Sequence, residues 1–129
     1  MEIPVITLGD LPPCPVAPDA LQGIPRQQTN PSRWKVEHGH WEEFISVLRS
    51  HGVEVSEKKG ARGVYVTDAG GLACGMPHGV VSASTAAQVS QLLKHAQAFK
   101  VPVTTRGGGL TTEGESVAFG GILLDMTGM

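Results

Sequence analysis

Residues 79–104 read GVVSASTAAQVSQLLKHAQAFKVPVT, and two periodicities meet in that stretch. Gly79-Val80-Val81-Ser82 is a short apolar run of the kind that fills a strand buried on both faces. Three residues on, Thr85 and Gln88 have the spacing of a capping box, in which side chains satisfy the free N–H groups of a helix's first turn. Ala86, Val89, Leu92, Leu93, Ala96 and Phe99 then fall on one face at helical spacing as far as Lys100. Val101-Pro102-Val103-Thr104 returns to strand character, with Pro102 at its start, where a missing N–H is tolerated. Strand, helix and strand make a βαβ unit with parallel strands. After an irregular stretch, Ile122-Leu123-Leu124-Asp125 is a further short apolar strand. The fold class that follows is α/β: a small, mainly parallel sheet with flanking helices.

Toward the N-terminus the pattern weakens. Trp41, Phe44, Ile45 and Leu48 lie at i, i+3, i+4 and i+7, an apolar stripe on a short helix that Gly52 ends. Val53-Glu54-Val55 alternates as a short strand. Gly63-Val64-Tyr65-Val66 predicts a second extended piece before the loop Asp68-Ala69-Gly70-Gly71. Residues 1–33 hold Pro4, Pro12, Pro13, Pro15, Pro18, Pro25 and Pro31 of the chain's nine prolines, and so favour extended and turn conformations. We divide the chain into a proline-rich arm, 1–33, and a globular part, 34–129.

Composition excludes several classes. With 129 residues, 40% apolar and 17% charged, the chain is an ordinary globular sequence of one small domain. Ten Lys and Arg against twelve Asp and Glu, without long blocks, leave no electrostatic footprint for nucleic acid. No apolar run approaches the roughly 20 residues of a membrane span, and no basic stretch precedes a hydrophobic one. Cys14 and Cys74 have no Cys-x-x-Cys spacing, so a reduced pair and a cytoplasmic location are expected.

The 17 glycines gather in two places, around 70–71 and around 107–114. In Thr105-Arg106-Gly107-Gly108-Gly109-Leu110-Thr111-Thr112-Glu113-Gly114, three consecutive residues without Cβ follow a strand directly. Amide N–H groups can converge there on a phosphate or pyrophosphate, with the threonine hydroxyls as further donors and Arg106 to balance charge. No Gly-Lys-Ser or Gly-Lys-Thr is present for a nucleoside-triphosphate loop. A dinucleotide fingerprint needs a helix next, where this chain predicts a strand. On the loop alone, a flexible turn without a ligand remains open.

Taken in order, Val80-Val81, the Thr85 to Phe99 helix, Val101-Pro102-Val103, Arg106-Gly107-Gly108-Gly109, Gly114 and Gly120 to Met126 resemble a known domain. It is the FAD-binding domain of the vanillyl-alcohol oxidase and p-cresol methylhydroxylase flavoprotein family, in particular the glycolate oxidase and D-lactate dehydrogenase branch. The resemblance runs from about Trp41 to Met129 and takes in Tyr65 and Asp68 ahead of Pro77. It implies that Thr105, Arg106, Gly107, Gly108, Gly109, Leu110, Thr111 and Gly114 line the FAD pyrophosphate. It implies that residues 80–104 form the parallel part of the first subdomain and that Ile122 to Asp125 lead toward the second. Relatives that attach FAD covalently through this loop carry histidine where this chain has Leu110, so noncovalent FAD is implied. Glu113 and Glu115, close to a diphosphate, oppose tight binding.

The activity implied is oxidation of a 2-hydroxy acid by hydride transfer to FAD, with an electron-acceptor protein as a partner. The chain is expected to stop before the antiparallel subdomain and the substrate domain, so that substrate is met through a missing C-terminal part or a partner chain. Alone it is expected to hold FAD weakly. No catalytic residue is carried over. The competing reading is a noncatalytic flavin- or nucleotide-binding module, or an inactive fragment that works only with a partner chain.

The remaining chemistry-bearing residues read more simply. His38 and His40 are one residue apart, but no Cys or carboxylate cluster completes a metal site, and none is expected. His51, His78 and His95 have no evident orienting partner. Tyr65 and Asp68 read as packing and turn residues, Cys74 as an inert thiol, and Trp34 and Trp41 as anchors.

Overall fold

The computed structural model describes residues 38–129, so the arm, the domain boundary, Cys14 and Trp34 lie outside the described residues. The elements are α1 (His38–Ser50), α2 (Lys59–Gly63), β1 (Gly79–Ser82), α3 (Ala86–Phe99), β2 (Val103–Arg106) and β3 (Ile122–Asp125). The strands form one parallel sheet of order β1-β3-β2. The α/β class expected from the sequence is borne out, with one change of topology. β1 and β2 are not neighbours, because β3 lies between them and pairs Leu123 with Val80 on one side and with Thr104 on the other. Ile122 to Asp125 is therefore the middle strand of the parallel sheet.

A middle strand is covered on both faces, and all four residues of β3 are buried. Alternation then sorts them. Ile122 and Leu124 join Trp41, Phe44, Ile45, Leu48, Val81, Leu92 and Ala96 in the core beneath α1 and α3. Leu123 faces the other way, against Val80 and Ala118, with Tyr65 packed on that cluster. The aromatic stripe of α1 sits where its spacing put it, Phe44 touching Phe99 of α3 with ring centroids 5.6 Å apart.

The helix starts and stops follow local chemistry. The Thr85 hydroxyl accepts from the Gln88 N–H at 3.3 Å. Gln88 returns its side chain one residue beyond the cap, its Oε1 accepting from the Ser84 N–H at 2.9 Å. Lys100 closes α3 in a left-handed conformation, its N–H bonding back to the last turn. Gly52, at φ +75°, follows α1. Two expectations change. Val53 and Val55 are buried but form no strand of their own, and this segment contributes a single antiparallel bridge, Ser56 to Val80. The extended piece expected at residues 63–66 gives way to α2 and a turn, in which the Tyr65 N–H bonds to the Arg62 carbonyl. Alternation over four residues was too short a signal to outweigh that turn.

Candidate functional site

Parallel strands deliver their C-terminal ends to one edge of the sheet, where ligands of open α/β sheets bind. Here Ser82, Asp125 and Arg106 end their strands side by side. From Arg106 the chain enters residues 107–121, which contain no helix or strand. A cavity of about 570 Å³ opens beside this loop, lined by Thr105, Gly107, Gly108, Gly109, Leu110, Thr111, Glu115 and Ser116. Six of the eight residues named from the sequence are thus brought together, namely Thr105, Gly107, Gly108, Gly109, Leu110 and Thr111.

The three glycines differ. A Cβ on Gly107 would meet nothing within 4 Å, and one on Gly108 would only touch Leu110 at 3.7 Å. These two are exposed, and their Cα atoms leave open space beside the backbone. Gly109 is buried and sits at φ +71°, and a side chain there would run into the Arg106 guanidinium. Leu110 is 82% exposed at the tip. The Thr111 and Ser116 hydroxyl oxygens lie 2.5 Å apart on the cavity wall.

Arg106 and Gly114, the other two, do not line the cavity. The Arg106 guanidinium donates to the Thr67 carbonyl at 2.7 Å and lies over the Tyr65 ring, 5.5 Å from its centroid. The Gly114 N–H donates to Asp68 at 2.8 Å. Both support the loop from behind.

Three contributors were not named as site residues from the sequence. Asp68, read as a turn residue, is 7% exposed and accepts from the N–H groups of Gly70 and Gly71 and, across to the glycine loop, from the Thr111 hydroxyl and the Gly114 N–H. Burial works to raise its carboxyl pKa, but those donors outweigh it and hold the group below the ordinary aspartate value. Asp-x-Gly-Gly marks the local Asx turn, and nothing in the spacing marks the long-range half. Tyr65 does more than pack, its hydroxyl donating to Asp125 at 2.7 Å at the end of β3. Ser116, buried beside Thr111, carries no sequence signal.

The histidines stand apart from this edge. His40 is exposed with its ring against Phe99, His51 and His95 face each other at 4.7 Å, and the side chain of His38 is outside the described residues. His78 accepts from the Gly121 N–H through Nδ1 at 2.9 Å. Cys74 is a free, exposed thiol.

Residues 77–129 match the family model described as FAD binding domain. The matched segment holds all three strands, α3 and the whole cavity lining, and leaves Tyr65 and Asp68 just outside it. Among solved structures, wild-type BBE-like 1 of Physcomitrella patens aligns at TM-score 0.55 and 23% identity, over 66% of this chain and 19% of that one. p-Cresol methylhydroxylase with substrate bound aligns at 0.53 and 19%, over 73% of this chain and 20% of that one. Alkyldihydroxyacetonephosphate synthase aligns at 0.54 and 19%, over 78% and 20%. The chain spans about a fifth of the length of these proteins. At such identities the likeness is one of fold. Comparison with curated proteins gives no match.

Proposed function

We propose that the loop from Thr105 to Ser116 binds the pyrophosphate of FAD and that the chain is the FAD-binding portion of a flavin-dependent oxidoreductase. The observation that carries this reading is that the glycine-lined cavity lies wholly within the segment matching FAD binding domain. The residues fit the group. Gly107 and Gly108 leave open space beside the backbone where a diphosphate has to approach. The Thr105 hydroxyl stands at the same cavity as a further donor, while the Thr111 hydroxyl gives its proton to Asp68 and the Ser116 hydroxyl lies against Thr111.

FAD, when bound, supplies the hydride-accepting chemistry, and the protein supplies position and electrostatics. The task of this chain's residues is to present backbone dipoles to the diphosphate. Arg106 acts on loop shape, since one N–H of its guanidinium holds the Thr67 carbonyl and its face lies over Tyr65. Leu110 has no nucleophilic atom, so the loop would hold the cofactor without a covalent bond.

For the substrate we propose a 2-hydroxy acid of the glycolate or D-lactate type, with the acceptor of its electrons a partner protein. The support is the sequence resemblance. One fold carries many chemistries, and the solved neighbours bear names as different as p-cresol methylhydroxylase and alkyldihydroxyacetonephosphate synthase.

The test is Gly108→Val. A Cβ at Gly108 meets only the Leu110 side chain, and the backbone there has no positive φ, so the fold should hold while the affinity for FAD, measured by titration, falls at least tenfold. A variant that binds FAD with the affinity of the wild-type chain would show that the loop does not face the diphosphate.

A further inference from the structure

We infer that Asp68 is a positioning residue for the glycine loop, its carboxylate and the glycines beside it fixing the backbone that borders the cavity. The inference rests on the diphosphate reading of that cavity.

A loop with no helix after it has no internal ladder to set the direction of its amides, so the directions must be imposed from outside. Residues 67–71 impose them here. The Ala69 N–H donates to the Gly109 carbonyl at 2.9 Å and the Gly70 N–H to the Thr111 carbonyl at 3.3 Å. In a trans peptide the C=O and the following N–H point in opposite directions. Tying down those two carbonyls therefore turns the N–H groups of Leu110 and Thr112 away from residues 67–71, none of which lines the cavity.

Asp68 locks the two segments together. One oxygen takes the Gly70 and Gly71 N–H groups, each at 3.2 Å, and the other takes the Thr111 hydroxyl at 3.0 Å and the Gly114 N–H at 2.8 Å. A neutral residue of the same size cannot receive all four. Gly70 has to be glycine for the same contact, since a Cβ there would enter the Thr112 carbonyl group, and Gly71 turns the chain at φ +64°. The first glycine cluster thus serves the second. A carboxylate near an anion site repels the ligand, but four donor dipoles face this one and it stands outside the lining.

The test uses the ¹⁵N-labelled chain and inorganic pyrophosphate as probe. In the wild type, the amides of Gly107 to Gly109 should shift saturably as pyrophosphate is added. Asp68→Asn, nearly isosteric, cannot accept with its amide nitrogen. Its ligand-free spectrum should be displaced at Gly109, Thr111 and Gly114 and unchanged along α3, and pyrophosphate should bind at least tenfold more weakly. Unmoved loop amides, or pyrophosphate affinity within twofold of wild type, would overturn the inference. If the wild-type loop ignores pyrophosphate, the diphosphate reading fails by itself, and the ligand-free spectra still decide whether Asp68 sets the loop. Should the Asn variant not fold, Thr111→Val removes one of the donors and is read by the same ligand-free displacement at Gly109 and Gly114, whose absence would count against Asp68.

Discussion

Replacing Tyr65 by Phe should cost about 1.5–3 kcal/mol at pH 7, the usual range for a hydrogen bond to a charged group. The hydroxyl donates to Asp125 at 2.7 Å, and Asp125 is only 8% exposed at the end of the middle strand. The ring would stay, with its packing on Val80, Ala118 and Leu123 and its place beneath Arg106, so the hydroxyl alone is removed. At about 4 °C per kcal/mol for a domain of this size, the melting temperature should fall by roughly 6–12 °C. The loss should also depend on pH. Burial works to raise the Asp125 pKa, but the Tyr65 hydroxyl, the Thr127 N–H and hydroxyl and the Arg106 charge outweigh it and lower the value below 3.8. A carboxylate whose folded pKa is lowered adds stability above the unfolded value, and that stability is lost as pH falls through the folded one. The difference between Tyr and Phe should therefore shrink below about pH 3.8 toward the ~0.5–1.5 kcal/mol of a neutral hydrogen bond. The phenol is held protonated at neutral pH, its pKa raised first by the bond to Asp125 and then by burial and the Asp125 charge, against Arg106. Urea denaturation at pH 7 and at steps below pH 3.8 reads both effects. An unchanged midpoint at pH 7, or a loss that does not shrink at any pH below 3.8 while the protein stays folded, would refute the assignment of Tyr65 as partner to a charged Asp125.

Gly109→Ala should destabilise the fold by about 1–2 kcal/mol through its left-handed backbone, and by more for displacing Arg106, while Gly107→Ala, in open space, should melt near wild type. His78 has its pKa lowered by burial and then by the Arg62 charge, so stability should be full above about pH 6.5 and decline as pH falls below it. His95, lowered by burial and then by His51 and Lys94, adds to that slope, so His78→Asn should remove only part of it in urea midpoints taken between pH 7.5 and 5. Flavin in the loaded protein should be released intact by acid precipitation, because Leu110 offers no bond to it; yellow colour retained in the washed pellet would contradict this. Glu115→Gln should tighten pyrophosphate by up to about fivefold at low salt, since Glu115 lines the cavity and brings a like charge to it, and isothermal titration at two ionic strengths checks both the sign and its screening.

How much of this was legible depended on whether the signal was local. β1 and β3 lie where their apolar runs placed them, and α3 begins at its capping threonine, because such short elements are set by burial and by one hydroxyl. Strand order was not legible, since nothing in β3 says that β1 and β2 leave a gap between them. β2 runs from Val103 to Arg106, two residues later than the apolar run at 101, since the pairing with β3 sets its bounds. In the site, the part of the cavity lining from Thr105 to Thr111 was legible as a glycine loop, and Ser116 was not. The supports were not, because Asp68 and Tyr65 lie 43 and 60 residues from their partners Thr111 and Asp125. The expectation that Arg106 balances phosphate charge came from residue type alone, and residue type does not tell which way an arginine turns.

The direction Arg106 takes bears on how the site can work. A guanidinium aimed into the cavity would offer a diphosphate a full charge and would tolerate a loosely shaped loop. Here one N–H goes to the Thr67 carbonyl, the guanidinium lies over the Tyr65 ring, and it occupies the space that Gly109 leaves by having no side chain. The cavity is left with backbone dipoles, hydroxyls and the Glu115 carboxylate. Dipoles attract an anion only over a short distance and only when several point at it together. If the loop binds a diphosphate as proposed, affinity rests on the convergence of the loop amides, which demands a rigid loop. The bonds from Asp68, Ala69, Gly70 and Arg106 supply that rigidity. The proposed diphosphate reading accounts for one glycine of the triplet being buried and left-handed while two stand open: Gly109 fastens the loop to its supports, and Gly107 and Gly108 leave the open space in which the diphosphate would sit.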